Sequence, residues 1–147
     1  MAKNTIIVKA YDQVRDEKTA TAVAITPGHL IERISTDLVQ AHSIAGGPVN
    51  PWFAIEDAYQ GKKITDDYAV SVIIFMWKPR PGDQIYAIAD SGGAIVIGDF
   101  LESAGDGTLR RVGDIPSSAG VLELEGSIIA VALEAAAADA RFVCELI

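Results

Sequence analysis

The chain has 147 residues, 50% of them hydrophobic, and 12 Lys and Arg stand against 20 Asp and Glu for a formal charge of -8. That length suits one domain with its own core, and that apolar content excludes wholesale disorder. The acidic field opposes nucleic-acid binding by phosphate neutralisation, and the single cysteine, Cys144, excludes an intrachain disulfide framework and a four-cysteine zinc site.

Taken in chain order, the first element is a β-prone tract, Thr5-Ile6-Ile7-Val8-Lys9, followed by a polar stretch of mixed charge, residues 10–19. Its three apolar residues are too few for a signal-peptide core of about 7–15, so synthesis in a cytoplasm is expected. A short strand and a polar stretch together predict an extended N-terminal arm over residues 1–19, with a single β-rich domain over 20–147. Residues 19–25 alternate weakly and stop at Pro27-Gly28, a turn pair. Residues 30–34 and 38–42 flank Ser35-Thr36-Asp37 and read as a hairpin. Gly46-Gly47-Pro48 breaks the chain, and residues 52–56 follow as an aromatic strand. Residues 59–67 read as a loop.

Residues 70–77 are the longest apolar run and the strongest strand, interrupted by Ser71 and far short of the about 20 residues a membrane helix needs. Pro79 and Pro81 end it, since proline cannot donate to a ladder. Residues 84–89 and 94–101 read as strands, with Gly98 in the second marking a bulge or a close backbone approach. Residues 104–107, Ala-Gly-Asp-Gly, are a hairpin turn by composition, and residues 109–112 the returning strand. Residues 113–120 read as a loop. Residues 127–134 and 141–147 close the chain as strands, and the alanines at 135–138 have the composition for one helical turn between them. Many strands of about six residues with turns every 8–12 residues predict an all-β fold: a small antiparallel β-barrel or sandwich (tulip-like). The strands are more hydrophobic than one sheet with a wet face requires. Either the barrel is closed or some faces are buried against other chains.

No constellation in the sequence supplies a nucleophile, a base and an orienting partner together. His29 and His42 flank the hairpin and read as turn or surface residues without a third ligand. Asp66 and Asp67 are adjacent, would point to opposite faces of a strand, and fit a solvated turn with capping. Asp99, Glu102 and Asp106 lack calcium-loop spacing. Cys144 alternates with Phe142 and Leu146, which makes it a core thiol. There is no Gly-x-Ser-x-Gly elbow and no phosphate-binding glycine loop. Catalytic residues, metal ligands and cofactors are therefore expected to be none. The aromatics Trp52, Phe53, Trp77, Tyr86 and Phe100 read as core or interface, with a ligand-stacking surface as the alternative.

Several ordered blocks carry a resemblance. They are residues 25–32, Ile-Thr-Pro-Gly-His-Leu-Ile-Glu; 81–89, Pro-Gly-Asp-Gln-Ile-Tyr-Ala-Ile-Ala; 97–110, Ile-Gly-Asp-Phe-Leu-Glu-Ser-Ala-Gly-Asp-Gly-Thr-Leu-Arg; and 128–135, Ile-Ile-Ala-Val-Ala-Leu-Glu-Ala. As a set, over roughly residues 20–147, the chain resembles the capsid decoration (cement, or head-stabilising) proteins of tailed bacteriophages. A similar glycine-and-aspartate pattern occurs in biotinyl-type barrels. Those carry a Met-Lys-Met hairpin, whereas this chain has only Met1 and Met76.

The resemblance implies a virion structural protein without enzymatic activity, made in the host cytoplasm and placed on the outer surface of an icosahedral head. Its partners would be the major capsid protein and itself, as a homotrimer in preference to a homodimer, with no direct nucleic-acid or membrane contact. Interface candidates are Thr5, Ile6, Ile7, Val8 and Lys9, for strand addition to a neighbouring sheet, with Arg15, Trp52 and Phe53. Residues 1–20 hold four basic and three acidic side chains, so the remainder carries -9 of the -8 total, which suits a soluble outer shell. Two other classes compete. One is another virion or cell-surface β module, such as a tail, fibre-base or carbohydrate-binding domain with Trp52, Trp77 and Tyr86 as the platform. The other is a small β-barrel enzyme, which needs His29 or His42 in a pocket with Asp66, Asp67 or Asp99.

Overall fold

The computed structural model describes residues 2–21, 23–113 and 127–147. It is all-β: the one helical element among the described residues is a 3-10 turn, Ala58–Gln60. Strands β2 (Val14–Ala20), β4 (Leu38–Ala41), β3 (Leu30–Arg33), β5 (Trp52–Ala54) and β6 (Ile73–Lys78) close a barrel in that order. Strands β1 (Ile7–Lys9), β7 (Gln84–Ile88), β11 (Arg141–Leu146), β10 (Ala130–Ala132), β8 (Phe100–Ser103) and β9 (Leu109–Arg111) form a six-stranded sheet in that order. The sheet curls back on itself, since Leu109 bridges Ala89 just past β7 and its carbonyl accepts the Asp90 N–H at 2.9 Å.

The continuous apolar run in β6 has a direct cause. Successive strand residues face opposite ways, and here both faces are covered. Ile74 and Met76 join the cluster inside the barrel, while Trp77 joins the larger cluster shared with the six-stranded sheet. Strands β3 and β5 divide in the same way: Ile31, Trp52 and Ala54 belong to the barrel interior, and Leu30 and Phe53 to the shared cluster. Of the two alternatives left by the sequence, the closed barrel is present, and one of its walls is buried against the sheet of the same chain.

The expected arm is not free. Ile6 is fully buried, β1 pairs antiparallel with β7, and β2 is a barrel stave paired with β6 from Val14–Lys78 to Thr19–Ile73. Its polarity misleads because its inward residues satisfy one another. Asp16 and Lys18 stand opposite Met76 and Ile74, on the face of buried Ala20, and Asp16 bonds Arg33 at 2.6 Å with Lys18 at 3.8 Å. The barrel also departs from a purely antiparallel plan, for β2 and β4 run parallel at Thr19–Leu38 and Ala20–Val39.

The hairpin read at residues 30–42 is β3–β4, with Ile31 opposite Ala41 and Arg33 opposite Val39. The strand expected over 94–101 is split. Ile95 bridges Ala136, then a turn with Gly98 at φ 92 precedes β8. Asp99 fixes that turn by accepting the Val96 N–H at 2.9 Å. The helical turn expected of the alanines is absent, because Ala136 exchanges two 2.9 Å backbone hydrogen bonds with Ile95 and tertiary pairing overrides propensity. The strand read over 19–25 ends at Ala20, beyond which Ile25 makes only an isolated bridge to Tyr68. Of the loop read at 113–120, residues 114–120 lie outside the described residues.

Candidate assembly surface

The block at residues 97–110 holds the β8–β9 hairpin, and its residues clamp the two sheets together. The Gly107 carbonyl accepts the Leu30 N–H at 2.8 Å, the Gly107 N–H donates to the His42 carbonyl at 3.1 Å, and the Gly46 N–H donates to the Ser103 carbonyl at 2.9 Å. Position 107 admits only glycine. Its φ is 89, and a Cβ would stand 2.9 Å from both Ala41 Cβ and His29 Cγ. Asp106 shapes the turn by accepting the Thr108 N–H at 2.9 Å. Glu102 is buried and accepts from Arg110 Nε at 2.9 Å, which neutralises it.

His42, expected at the surface, is buried. Its Nδ1 lies 2.8 Å from Ser103 Oγ and its Nε2 3.4 Å from the Pro48 carbonyl. A carbonyl only accepts, so Nε2 carries the hydrogen and Ser103 donates to Nδ1. Glu32 stands 3.8 Å from Nε2 and accepts the Ser43 hydroxyl at 2.6 Å; these bonds pull its carboxyl below the usual range although burial opposes the shift. Ser103, His42 and Glu32 thus form a line of serine, histidine and carboxylate, but Ser103 is 0% exposed and its Oγ already accepts the Gly105 N–H at 3.1 Å. This line fastens the hairpin to β3–β4. His42 is not joined by Asp66, Asp67 or Asp99, the partners the sequence offered for an enzyme.

His29 sits on the Pro27-Gly28 turn, as expected. Its Nδ1 accepts the Thr26 N–H at 3.3 Å, and burial holds its pKa below the ordinary value, with Asp106 and Asp67 pulling weakly the other way. Asp66 is the turn cap the sequence suggested, accepting the Lys63 N–H at 2.7 Å. Cys144 is buried in the shared cluster, and burial raises its thiol pKa to about 12. Among the described residues no group of three or more His, Cys, Asp or Glu could hold a metal ion, and no helix is long and apolar enough to cross a membrane.

The interface candidates scatter. Thr5, Lys9 and Arg15 are exposed, while Ile7 and Val8 are half-buried. Ile6, Trp52 and Phe53 are buried. Trp52 packs in the barrel cluster, with the Arg33 guanidinium 5.3 Å and the Lys78 ammonium 5.9 Å from its ring centre. Of the aromatic platform considered for sugars, Trp52, Trp77 and Tyr86 are all buried, and Phe100 alone of the five aromatics read together is exposed.

Sequence reasoning missed an exposed apolar feature of the sheet. Phe100 and Val131 are cross-strand partners, the Gly98 N–H donates to the Ala132 carbonyl at 2.9 Å, and the turn beside them presents Val96 and Ile97. Ile97 is 70% exposed and Phe100 54%, with Leu133 next to them also exposed. The hidden signal was Asp99, which turns the chain after Ile97 and so takes Val96 and Ile97 out of the strand they resemble.

The fold is similar to the crystal structure of the N base of the head fiber gp8.5 of bacteriophage phi29. The TM-score is 0.60 at 16% sequence identity, over 92% of this chain and 95% of that one. No protein-family model and no curated protein matches the chain. At this identity the likeness is one of fold, and it spans nearly all of both chains.

Proposed function

We propose that this chain is a structural protein of a phage virion, seated on the outer surface of the head. The observation that carries the reading is the near full-length fold match to the base of a head fiber. It agrees in kind with the capsid-decoration resemblance of the ordered turn blocks. The exposed turn of Val96 and Ile97 with Phe100 and Leu133 is the seat: an apolar patch on a chain of net charge -8 is a feature that association, not solubility, explains. The partners are the major capsid protein and further copies of the chain, in a homotrimer. Binding would be shared among several contacts, so that avidity rather than any single interface holds it. The role requires no catalysis, cofactor, nucleic acid or membrane.

Within this reading the base of a head fibre and a cement that staples capsid subunits are distinct roles, and the fold neighbour favours the first. Cosedimentation of the purified protein with expanded heads that lack it tests the shared claim: saturable binding is expected, and none refutes it. Heat release of DNA from those heads then separates the roles, since a cement raises the release temperature on binding and a fibre base leaves it unchanged. Light scattering of the free protein checks the trimer.

A further inference from the structure

We propose that the outer wall of the barrel carries a binding cleft for a neutral sugar, built on Tyr59 and Phe75. The inference does not depend on the head-surface reading. The cleft, about 430 Å³, is lined by Arg15, Asp16 and Glu17 of β2 and by the two rings, a size within the about 300–1,000 Å³ of small-ligand sites.

Three observations carry it. Tyr59 is 82% exposed, yet its place is fixed. It lies on the 3-10 turn, which Asp57 caps by accepting the Gln60 N–H at 3.2 Å and which ends on Gly61 in left-handed geometry at φ 68. Its ring tilts against Phe75 with centroids 5.9 Å apart. Such a ring offers a preorganised apolar face to solvent without contributing to the core.

The polar lining is the second observation. Glu17 stands directly opposite Phe75 across the β2–β6 ladder, and among the described residues its carboxylate makes no ion pair. Arg15, on the same face, bonds only Gln13 among the side chains of the described residues. A carboxylate and a guanidinium beside an aromatic face match vicinal hydroxyls, which accept and donate in pairs, laid over the C–H face of a sugar ring. The lining holds one guanidinium and two carboxylates, but Asp16 is tied to Arg33 and Lys18, so Arg15 and Glu17 leave no net charge to hold a phosphate or a cationic ligand.

Third, on its β6 side β2 is paired from Val14 to Thr19, so an extended peptide has no strand edge to join between Glu17 and Phe75, where the cleft lies.

Saturation-transfer NMR of the full chain with maltotriose, cellotriose, chitotriose and galactotriose, each at about 5 mM, reads the site, since affinities near 1 mM suffice for a signal. At least one sugar should receive saturation. Tyr59→Ala should cut its affinity about tenfold or more, a change of about 1.4 kcal/mol, while Tyr59→Phe, which keeps the ring, should retain most of it. Unchanged thermal melting of Tyr59→Ala guards against unfolding as the cause. Silence from all four sugars overturns the proposal, as does a signal that Tyr59→Ala leaves intact. Burial of Tyr59 against another protein in assembled particles would also overturn it.

Discussion

In the barrel every strand has a hydrogen-bonded neighbour on each side. In the six-stranded sheet β1 has β7 on one side and no strand on the other among the described residues. The barrel's inward charges also pair among themselves, as Asp16 does with Arg33 and Lys18. The sheet, by contrast, leaves Ile97 and Phe100 facing water from a turn that Asp99 holds in place. Both halves expose apolar side chains, the barrel Val14, Leu38 and Ile73 among them, but the sheet gathers Val96, Ile97, Phe100 and Leu133 beside one turn and leaves a strand edge unpaired among the described residues. The contrast separates residues that stabilise the chain from residues available to a partner, and each prediction below tests that division.

The largest effect belongs to the wall between the two halves. Phe53 is 0% exposed and lies in the cluster shared by barrel and sheet. Phe53→Ala should lower the unfolding free energy by about 3–5 kcal/mol, read from the urea midpoint. The clamp comes next. Gly107→Ala forces a side chain into positive φ against His29 and Ala41 and should cost about 2–3 kcal/mol. Ser103→Ala leaves the Gly105 N–H without its acceptor and should cost about 1–2 kcal/mol. Both variants should loosen amide-exchange protection at residues 41–46 more than at the far end of the barrel, and equal loosening everywhere would contradict the clamp.

A smaller effect depends on pH. Burial lowers the His29 pKa in the folded chain, so the unfolded chain takes up a proton first as the pH falls. Its contribution is complete above about 6.5 and is lost as the pH drops through that value towards the folded one. Denaturation midpoints should therefore fall between pH 7.5 and 5.5, and His29→Gln should flatten that slope. A slope unchanged in His29→Gln would assign it to other groups. The smallest effect on folding is expected at the open surface, where Ile97→Ser should shift stability by under about 0.5 kcal/mol.

Much of the fold could be read from local signals. The run ending at Pro79, the hairpin around Ser35-Thr36-Asp37 and the Gly105-Asp106-Gly107 turn each combine hydrophobic pattern with turn chemistry, and each is present. Failures came where a residue's partner lies far away in sequence. Nothing near Asp16 or Lys18 announces Arg33 and Asp37 as their partners, so β2 reads as a polar arm. Trp52 and Phe53 look like an interface because a pattern shows that an aromatic strand is buried but not against which surface, and here both of its faces are covered from within the chain. His42 read as exposed because its partner Ser103 lies on another hairpin. The candidate seat was concealed for the opposite reason: Val96 and Ile97 have strand-like composition, and one aspartate hydrogen bond places them in a turn.

A cryo-electron microscopy reconstruction of expanded heads incubated with the purified protein tests the central proposal most directly. The account predicts ordered density for this fold outside the shell, with the 96–100 turn directed at the capsid and lost when Ile97→Asp replaces the native chain. Heads left bare by the native protein, or decorated equally by Ile97→Asp, would contradict it.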